Sequence, residues 1–524
     1  MAKEKRFRIS EKRVLILNKG KKKFLNLVFG RTAVILLLLA VQIVLLFWGF
    51  FRLGEYVVYS ASLTVSFLVA LVVVNRPGNP AAKITWIMLI MLAPVFATPF
   101  YFYVNMDIGH RLARERLADI HRRSANYLPD CSRARERLRE REPRLAGLAA
   151  YMERFSGCGF FENSGVKYLP SGEAFFEEVL AQLEQAERFI FLEFFIVEEG
   201  YMWGRILDVL ERKARQGVEV RVMYDGTCAV AKVPYQYPRQ LEKLGIQCKM
   251  YAPLRLFMST HYNNRDHRKI LVVDGRTAFT GGINLADEYI NRTARFGHWK
   301  DTGVMISGEA VRGFTMMFLQ MWEVSDWREQ DYRRYLEASG PVEAEGFVLP
   351  YGDSPFDGEN VSEMVYMDVL DRASEYVHIT TPYLILDHEM MTALTYAAKR
   401  GVEVTIITPA IPDKKAVFAV TQSYYWELIE AGVNIYEYTP GFIHAKMFVS
   451  DGATAVVGSI NLDYRSLYHH FECAALLYRS SAVAEVERDF QTTLARCRPI
   501  TLEENWKPMR RLLGWVLRPL APLL

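Results

Sequence analysis

The 524-residue sequence is poor in cysteine, and its cysteines form no recognisable pattern. The 6 cysteines stand at positions 131, 158, 228, 248, 473 and 497, with no CxxC pair and no short spacing to a histidine. This scatter predicts neither a disulfide framework nor a zinc site. The phosphate-binding pattern GxxxxGK[ST] is absent as well, so chemistry driven by a nucleotide is not expected, and no metal or other cofactor is predicted.

The net positive charge of the chain comes from one segment. Residues 1–31 contain 11 Lys and Arg against Glu4 and Glu11, a net charge of +9, so with +4 for the whole chain the remainder carries 4 − 9 = −5. A nucleic-acid partner is therefore not expected, because a phosphate backbone requires a continuous basic surface. The basic segment instead predicts a cytoplasmic tail that binds anionic membrane lipids.

Long apolar runs are confined to the region after this tail. Three of them, at residues 32–51, 56–74 and 84–104, are each about the 20 residues that cross a bilayer as a helix. The basic segments on either side of the three runs cannot both be cytoplasmic if all three span. Ala93-Pro94 makes the third run the candidate for a re-entrant helix. These runs predict a multi-pass protein of the cell membrane.

Strands and helices alternate in the rest of the chain. FIFLEFFIV (189–197) and VEVRVMYDG (218–226) have the composition of strands, and MWGRILDVLERKARQG (202–217) has that of a helix ending at a glycine. ARQGVEVRVMYDG is echoed by AKRGVEVTIITPA, and LEKLGIQCKMYAP by LIEAGVNIYEYTP. This repetition predicts an internal duplication and an α/β fold with two similar layered domains, joined by the Pro- and Gly-rich linker at 341–355.

The chain accordingly divides into six predicted parts. These are a basic cytoplasmic tail (1–31), two or three membrane-spanning or re-entrant helices (32–104), a polar helical connector (105–155), a first domain (156–340), a second domain (341–500) and a basic amphipathic C-terminal helix (501–524). That last helix can lie in a membrane interface or dock on the protein itself.

The duplication carries one motif twice: HRKILVVDGRTAFTGGIN at 267–284 is matched by HAKMFVSDG and GSIN in the second half. Each copy reads as a hairpin around an Asp-Gly turn. Strand periodicity puts His267 and Lys269 on one face, and His444 and Lys446 likewise. A turn of two residues places each histidine opposite a small residue, Gly282 or Ser459, which leaves room for a substrate group.

Two histidines and two lysines at one interface suit a phosphodiester reaction that uses no metal. The lysines can hold phosphate oxygens, one histidine can be the nucleophile, and the other can protonate the leaving alcohol. The candidate site is completed by turn residues with a structural role, amides that can contact an anion, and carboxylates that can orient the ring nitrogens. The turn residues are Asp274 and Asp451, the amides Asn284 and Asn461, and the carboxylates Asp301 and Glu472.

The two carboxylates are assigned by their distance along the chain. Asp301 follows His267 by 34 residues and Glu472 follows His444 by 28, at comparable places beyond each hairpin. Each is therefore expected to orient the histidine of its own half. Placement on the surface is the alternative for both residues.

At these residues the sequence resembles the phospholipase D superfamily. HRKILVVD and HAKMFVSD are similar to its paired HKD motifs, which comprise His267, Lys269, Asp274, His444, Lys446 and Asp451. NPAAKITWIMLIMLAP, NNRDHRK, TTPYLILD and INLDYRSLYHHFE extend the resemblance to bacterial cardiolipin synthases over roughly residues 75–524.

The resemblance implies that two phosphatidylglycerols become cardiolipin and glycerol. It implies His267 as nucleophile and His444 as acid and base, with both motif lysines and Asn284 and Asn461 holding phosphate, and a bacterial plasma membrane as the location. Two departures stand out. The family usually has Asn where this chain has His470, and the third apolar stretch is more than many members have.

Several alternatives remain open. A phospholipase D-type hydrolase would use the same residues in a wetter site, and another phosphatidyltransferase would use serine, ethanolamine or glycerol as the acceptor. A nuclease is disfavoured by the −5 balance outside the tail. A non-enzymatic scaffold is disfavoured because His and Lys are intact in both copies. The oligomeric state is left open.

Overall fold

The structure is a computed structural model that describes residues 44, 55–105, 108–128, 131–252, 264–326, 328–337, 340–503, 514 and 516–523. The described residues up to 105 form one compact unit, and those from 108 onward form another. The described residues of the first unit form three helices, α1 (Glu55–Asn75), α2 (Pro80–Leu92) and α3 (Pro94–Asn105). Asn79 caps α2 by accepting a hydrogen bond from the Ala81 N–H (2.9 Å).

The predicted membrane-spanning helices are described only in part. Of the stretch 32–51 only Val44 is described. The stretch 84–104 divides where α2 ends at Leu92 and Pro94 begins α3, because proline has no N–H to continue the preceding helix. None of the helices in the described ranges is both long enough and apolar enough to cross a membrane.

Three helices open the second unit: α4 (Ile108–Ser124), α5 (Ser132–Arg141) and α6 (Pro143–Ser156). This is the segment predicted as a polar connector. It is helical, but it is not polar on every side, because Leu117, Ile120, Leu138 and Leu145 are buried. The connector therefore packs against the rest of the unit through an apolar face.

Eight strands and six α-helices follow among the described residues of the first half. The strands are β1 (Ser164–Leu169), β2 (Phe189–Phe194), β3 (Glu219–Asp225), β4 (Gln247–Tyr251), β5 (Lys269–Val273), β6 (Thr277–Gly281), β7 (His298–Lys300) and β8 (Gly303–Gly308). The helices are α7 (Gly172–Glu184), α8 (Tyr201–Arg215), α9 (Cys228–Ala231), α10 (Tyr237–Glu242), α11 (Val311–Asp326) and α12 (Tyr332–Leu336). Seven of the strands form one sheet in the order β1-β8-β6-β5-β2-β3-β4.

Nine strands and five α-helices of the second half lie within residues 340–503, all of which are described. The strands are β9 (Phe347–Asp353), β10 (Tyr376–Thr380), β11 (Glu403–Pro409), β12 (Asn434–Tyr438), β13 (Gly441–Ile443), β14 (Met447–Ser450), β15 (Thr454–Gly458), β16 (Glu472–Tyr478) and β17 (Cys497–Pro499). The helices are α13 (Val361–Arg372), α14 (His388–Lys399), α15 (Lys415–Glu430), α16 (Tyr464–Tyr468) and α17 (Ala482–Leu494). The sheet order is β9-β16-β15-β14-β10-β11-β12-β17.

The two sheets have the same strand order, with β17 added at the edge of the second. The repeated glycines play the same part in both halves: Gly217 follows α8 with φ +90°, and Gly401 follows α14 with φ +98°. Glycine tolerates this left-handed conformation where a side chain would be strained, so it ends both helices. The predicted duplication and the α/β fold class are confirmed.

The predicted linker at 341–355 is wrong over seven of its fifteen residues, because β9 occupies Phe347–Asp353. Its Pro350 pairs with Ala475 of β16. Since β9 is the edge strand of the second sheet, the missing N–H of proline leaves no neighbouring strand without a donor. High Pro and Gly content therefore marks an edge strand here.

The two halves share one hydrophobic core. Phe191 and Val272 of the first sheet belong to the same buried cluster as Val449 and Leu477 of the second. Strands β7 and β13 also pair in parallel across the halves, with Trp299 opposite Phe442. The two predicted domains thus form a single compact unit, and residues at their junction are fixed by both halves.

The register of both motif hairpins is shifted by one residue from the predicted one. In the first, Asp274 and Gly275 adopt positive φ, and the Arg276 N–H donates to the Val273 carbonyl (3.0 Å), as a two-residue turn requires. Arg276 is then an extra residue, so Val273 pairs with Thr277. The second hairpin repeats this arrangement, with Ser450 opposite Thr454. The histidines therefore do not face Gly282 and Ser459, because each hairpin contains one bulged residue.

The two turn aspartates anchor the strand next to each hairpin. The Asp274 carboxylate accepts backbone hydrogen bonds of 2.7 to 2.8 Å from residues 187–189, where β2 begins. Asp451 accepts backbone hydrogen bonds of 2.7 to 3.0 Å from residues 374–376, where β10 begins. The resemblance to the HKD motifs counts both residues as catalytic, but these backbone contacts give the two carboxylates a structural role. A catalytic role for them stays a prediction.

We expect Asp274→Asn to lower the free energy of unfolding by about 2 kcal/mol, because an amide offers one acceptor oxygen where the carboxylate serves three N–H groups. Urea unfolding followed by tryptophan fluorescence measures this change. Asp208→Asn, the same substitution at an exposed position of α8, should change stability by less than about 0.5 kcal/mol. Unaltered unfolding of Asp274→Asn combined with lost turnover would return Asp274 to the catalytic set.

Candidate active site

His267 is fixed by residues of the second half. It lies two residues before the first β5 residue, and its backbone N–H donates to the Phe471 carbonyl (2.9 Å). Its ring Nδ1 is 2.8 and 3.0 Å from the two carboxylate oxygens of Glu472. The backbone and the ring are thus both held by the start of β16, so this imidazole has one orientation.

His444 has the reciprocal arrangement with the first half. Its backbone N–H donates to the Lys300 carbonyl (2.7 Å), and its Nδ1 is 2.7 Å from Asp301 Oδ2. Lys300 is itself held across the halves by an ion pair with Asp489 of α17 (2.7 Å). In both cases the histidine ring binds a carboxylate. The histidine backbone N–H binds the carbonyl of the residue that precedes this carboxylate.

The expectation that each carboxylate serves its own histidine is wrong. Asp301 contacts His444 of the second half, and Glu472 contacts His267 of the first. Chain distance did not predict this, because the approximate twofold relation of the halves brings the end of one hairpin against the beginning of the other. Both carboxylates are fully buried, so the alternative of a surface location is excluded for both.

Gly282 and Ser459 make room for the carboxylates. A Cβ atom at Gly282 would lie 2.1 Å from Asp301 Oδ1, so any larger residue would displace that side chain. At the matching position Ser459 donates its hydroxyl to Glu472 Oε2. Small residues here therefore accommodate the orienting carboxylates, whereas the sequence predicted that they accommodate substrate.

The two motif lysines are buried beside the histidines. Lys269 Nζ donates to the His267 carbonyl (2.5 Å), and Lys446 Nζ donates to the His444 carbonyl. Burial lowers the pKa of Lys269 to about 8 and that of Lys446 to about 7. Little water reaches these two ammonium groups. Each can therefore exchange the carbonyl oxygen that it contacts for a phosphate oxygen.

The two asparagines differ in their contacts. Asn284 Oδ1 accepts from the Ile196 N–H (3.0 Å), and its Nδ2 donates to the Tyr289 hydroxyl (2.7 Å). Asn461 is buried, and its Oδ1 has no hydrogen-bond partner among the described residues. Asn284 is therefore engaged mainly in supporting the site, while Asn461 has an amide oxygen left for a ligand. A phosphate-binding role for both stays a prediction.

Both histidines and both asparagines line one cavity of about 720 Å³. Aromatic rings form much of its inner wall: Phe195 stacks edge-on against His267 at 4.9 Å, and Tyr289, Trp299 and Phe442 surround His444. Basic side chains of Lys232, Arg295, Lys414 and Arg465 also line it. The cavity therefore combines an apolar wall with positive charge, as a site for an anionic amphiphile requires.

The electrostatics keep both rings neutral in the free protein. Burial, followed by the charges of Lys269 and Lys446, lowers the pKa of His267 well below its usual value. Burial lowers the pKa of His444 to about 4, against the opposing influence of Asp301. A neutral ring that donates Nδ1–H to a carboxylate carries its lone pair on Nε2. Each Nε2 can therefore act as a nucleophile or a base.

The Asp301 carboxylate stays ionised. Burial by itself raises its pKa, but the charge and hydrogen bond of His444 and the charge of Lys446 lower the pKa below its usual value overall. A proton arriving at this pair therefore rests on the imidazole. His444 can then be a cationic acid that Asp301 stabilises.

His470 is a component of the site to which the sequence assigned no role. Its ring lines the cavity, lies 5.5 Å from the His267 ring between centroids, and places Nδ1 3.7 Å from Glu472 Oε1. Its position two residues before Glu472 was the available clue. That clue could not be used from sequence, since Glu472 was expected to serve His444.

Comparisons with known proteins show the family to which the chain belongs. The family model described as "Cardiolipin synthase, PLD-like domain" matches residues 179–322 and 366–494, together more than half of the chain. A cardiolipin synthase of Geobacillus kaustophilus is 34% identical over 91% of this chain and 95% of its own length. An uncharacterised protein of Streptococcus mutans is 48% identical over 87% of this chain and 99% of its own length.

One solved structure shares the fold at low sequence identity. It is the phosphatidylserine synthase of Haemophilus influenzae, with a TM-score of 0.57 and 14% identity. The alignment covers 72% of this chain and 100% of that one. The similarity extends the fold assignment to the arrangement of both halves.

We expect affinity for a non-reactive phosphonate analogue of a phosphodiester to fall as the pH rises above 7. The lysines are charged below their pKa values of about 7 and about 8, and each proton lost weakens binding by about tenfold per pH unit. Calorimetric titration between pH 6 and 9.5 measures this loss. In Lys446→Met the decline between pH 7 and 8 should be shallower than in the parent by about tenfold per pH unit. An affinity that is constant across the range would contradict the lysines' role.

Proposed function

Because the chain belongs to the cardiolipin synthase family of phospholipase D-like proteins, we propose that it transfers a phosphatidyl group from one phosphatidylglycerol to another, giving cardiolipin and glycerol. The observation that carries the proposal is the pair of neutral histidines that line one cavity, each fixed by a carboxylate of the other half and each in contact with a buried lysine. This arrangement suits a phosphohistidine intermediate and needs no metal or other cofactor.

In the first step His267 Nε2 attacks the phosphorus of the donor lipid. The phosphorus–oxygen bond to the headgroup glycerol breaks, and His444 gives that oxygen its proton. Lys269 and Lys446 offset the charge of the phosphate oxygens. The free site holds two lysine cations against the Asp301 and Glu472 carboxylates, so an arriving phosphodiester anion favours one extra proton, which His444 carries.

In the second step the primary hydroxyl of the acceptor lipid loses its proton to His444 and attacks the phosphorus. The phosphorus–nitrogen bond breaks, and the electron pair returns to His267 Nε2. One phosphodiester with a primary alcohol is exchanged for another, so the bonds made and broken are similar in energy. The exchange therefore proceeds without a nucleotide.

Transfer is favoured over hydrolysis by the aromatic wall of the cavity. Phe195 beside His267, and Tyr289 and Trp299 beside His444, place apolar surface next to both reacting rings. Exclusion of water protects the intermediate until a lipid alcohol arrives. A phospholipase D-type hydrolase and a phosphatidyltransferase with another alcohol acceptor are the alternatives.

The proposed location is the bacterial plasma membrane. Phosphatidylglycerol, cardiolipin and other anionic lipids are the proposed partners. In the first unit the side chains of Val65, Phe67, Leu71 and Ile84 are between 45% and 61% exposed, which is typical of a surface that contacts lipid. Multi-pass anchoring is part of the same proposal and is supported by the apolar stretches of the sequence.

The first test of the reaction is mass spectrometry of lipids after incubating the detergent-solubilised protein with phosphatidylglycerol and EDTA. We expect cardiolipin and glycerol in equal amounts. His267→Ala, His444→Ala and the double variant serve as controls and should form no product. Phosphatidic acid as the only product would mean a hydrolase, and dependence on added metal would contradict the mechanism.

The roles of the two histidines can be separated with a phosphatidyl ester of p-nitrophenol, whose leaving group needs no acid. In His444→Ala we expect a burst of about one p-nitrophenol per enzyme and then arrest, because the second step lacks its base. Peptide mass spectrometry should find the phosphatidyl group on His267. A modified His444 in the His267→Ala variant instead would reverse the assignment.

The crossed carboxylates predict opposite effects in the same assay. Glu472→Gln should slow the burst by about 10³-fold or more, because it no longer holds the His267 tautomer. Asp301→Asn should leave the burst nearly intact and slow only the later turnover, because it acts on His444. An Asp301→Asn variant with a slow burst would contradict the crossed pairing.

A further inference from the structure

His470 is a buried histidine whose ring has no hydrogen-bond partner. It is 8% exposed, and neither of its ring nitrogens is hydrogen-bonded to any described residue. Buried polar groups are normally paired, so an unpaired ring in a cavity wall calls for an explanation. Its ring Nδ1 is too far from Glu472 Oε1, at 3.7 Å, for a hydrogen bond.

His470, His267 and Glu472 together have the spacing of metal ligands. One ligand atom from each lies within 4.8 Å of the other two. Tetrahedral zinc with bonds of about 2.0 to 2.1 Å has ligand atoms about 3.4 Å apart. The observed distances from Glu472 Oε1, 2.8 Å to His267 Nδ1 and 3.7 Å to His470 Nδ1, fall on either side of that value.

We propose that these three residues bind a transition-metal ion of the zinc class and that this ion inhibits the enzyme reversibly. Two imidazole nitrogens and one carboxylate oxygen favour such an ion over magnesium or calcium, which prefer oxygen ligands alone. Metal binding stands independently, whereas inhibition rests on the proposed function.

Inhibition follows from the single lone pair of a neutral imidazole. The His267 ring donates Nδ1–H to Glu472 and carries its lone pair on Nε2. A metal bound at Nδ1 requires the proton to move to Nε2, and the nucleophile is then lost. The metal also takes Glu472 away from its orienting role.

Of the two histidine–carboxylate pairs, only His267 and Glu472 have a third possible metal ligand beside them among the described residues. Around His444 and Asp301 the nearest rings are Tyr289, Trp299 and Phe442, none of which is a metal ligand of this class. Glu363, Asp387 and Glu389 form a second cluster of possible ligands among the described residues, but it offers oxygen ligands alone and so does not favour an ion of the zinc class. We therefore expect one tightly bound zinc ion per chain. The third ligand is contributed by His470, so this residue is the one to change.

The binding test uses the purified full chain in detergent, stripped of metal and titrated calorimetrically with zinc chloride. We expect one equivalent to bind, and His470→Asn to weaken that binding at least tenfold. His469→Asn removes the neighbouring histidine, which is outside the cluster, and should bind zinc like the parent. Thermal unfolding without metal verifies that each variant is folded.

Two further measurements keep binding and inhibition separate. X-ray absorption of the zinc-loaded parent should show two imidazoles and oxygen ligands, a result that does not depend on any variant. Zinc should inhibit cardiolipin formation by the parent, EDTA should reverse this, and the inhibitory concentration should rise at least tenfold in His470→Asn relative to its own uninhibited rate.

Several results would overturn the proposal. These are no zinc binding below about 100 μM by the parent, equal affinity in His470→Asn, or an absorption spectrum without two imidazoles. Zinc binding as expected in a protein that makes no cardiolipin would retain the metal site and reject the proposed function. Binding that leaves the reaction rate unchanged would reject inhibition.

Discussion

Each of the two candidate catalytic histidines is oriented by a carboxylate of the other half. Glu472 fixes His267 and Asp301 fixes His444, and in both cases the residue before the carboxylate also accepts the histidine's backbone N–H. A half in isolation would hold an unoriented histidine and a buried carboxylate without its partner, which is costly. The shared core and the β7–β13 pairing are therefore conditions for the chemistry, since they fix the distance between the halves.

The same pairing makes a dense cluster of buried charge tolerable. Lys269 and Lys446 are almost fully buried, and burial lowers their pKa values toward neutrality. The carboxylates of Asp301 and Glu472 offset the two cations, so the free site is close to neutral. A bound phosphodiester changes that balance by one negative charge. The low local dielectric strengthens this response, which couples substrate binding to protonation of a histidine.

The two halves have the same framework but different surroundings at the histidines. Gly282 admits Asp301 in the first half, whereas Ser459 donates a hydrogen bond to Glu472 in the second. Aromatic rings surround His444, while His470 stands beside His267. The duplication thus provides the geometry, and substitutions around it give the two imidazoles different environments. Such inequality is what a nucleophile and an acid need if they are to act in a fixed order.

The sequence alone determined the features that arise within a short stretch of chain: the alternating elements, the helix-ending glycines, the repeated His and Lys pairs and the structural turn aspartates. Hydrophobic periodicity and turn chemistry act over a few residues, so they can be read directly. The tertiary structure decided which carboxylate serves which histidine, the one-residue bulge of each hairpin, the strand at Phe347–Asp353 and the place of His470. These features depend on how the two halves of the chain pack together. The spacing of residues along the sequence does not show how the halves pack.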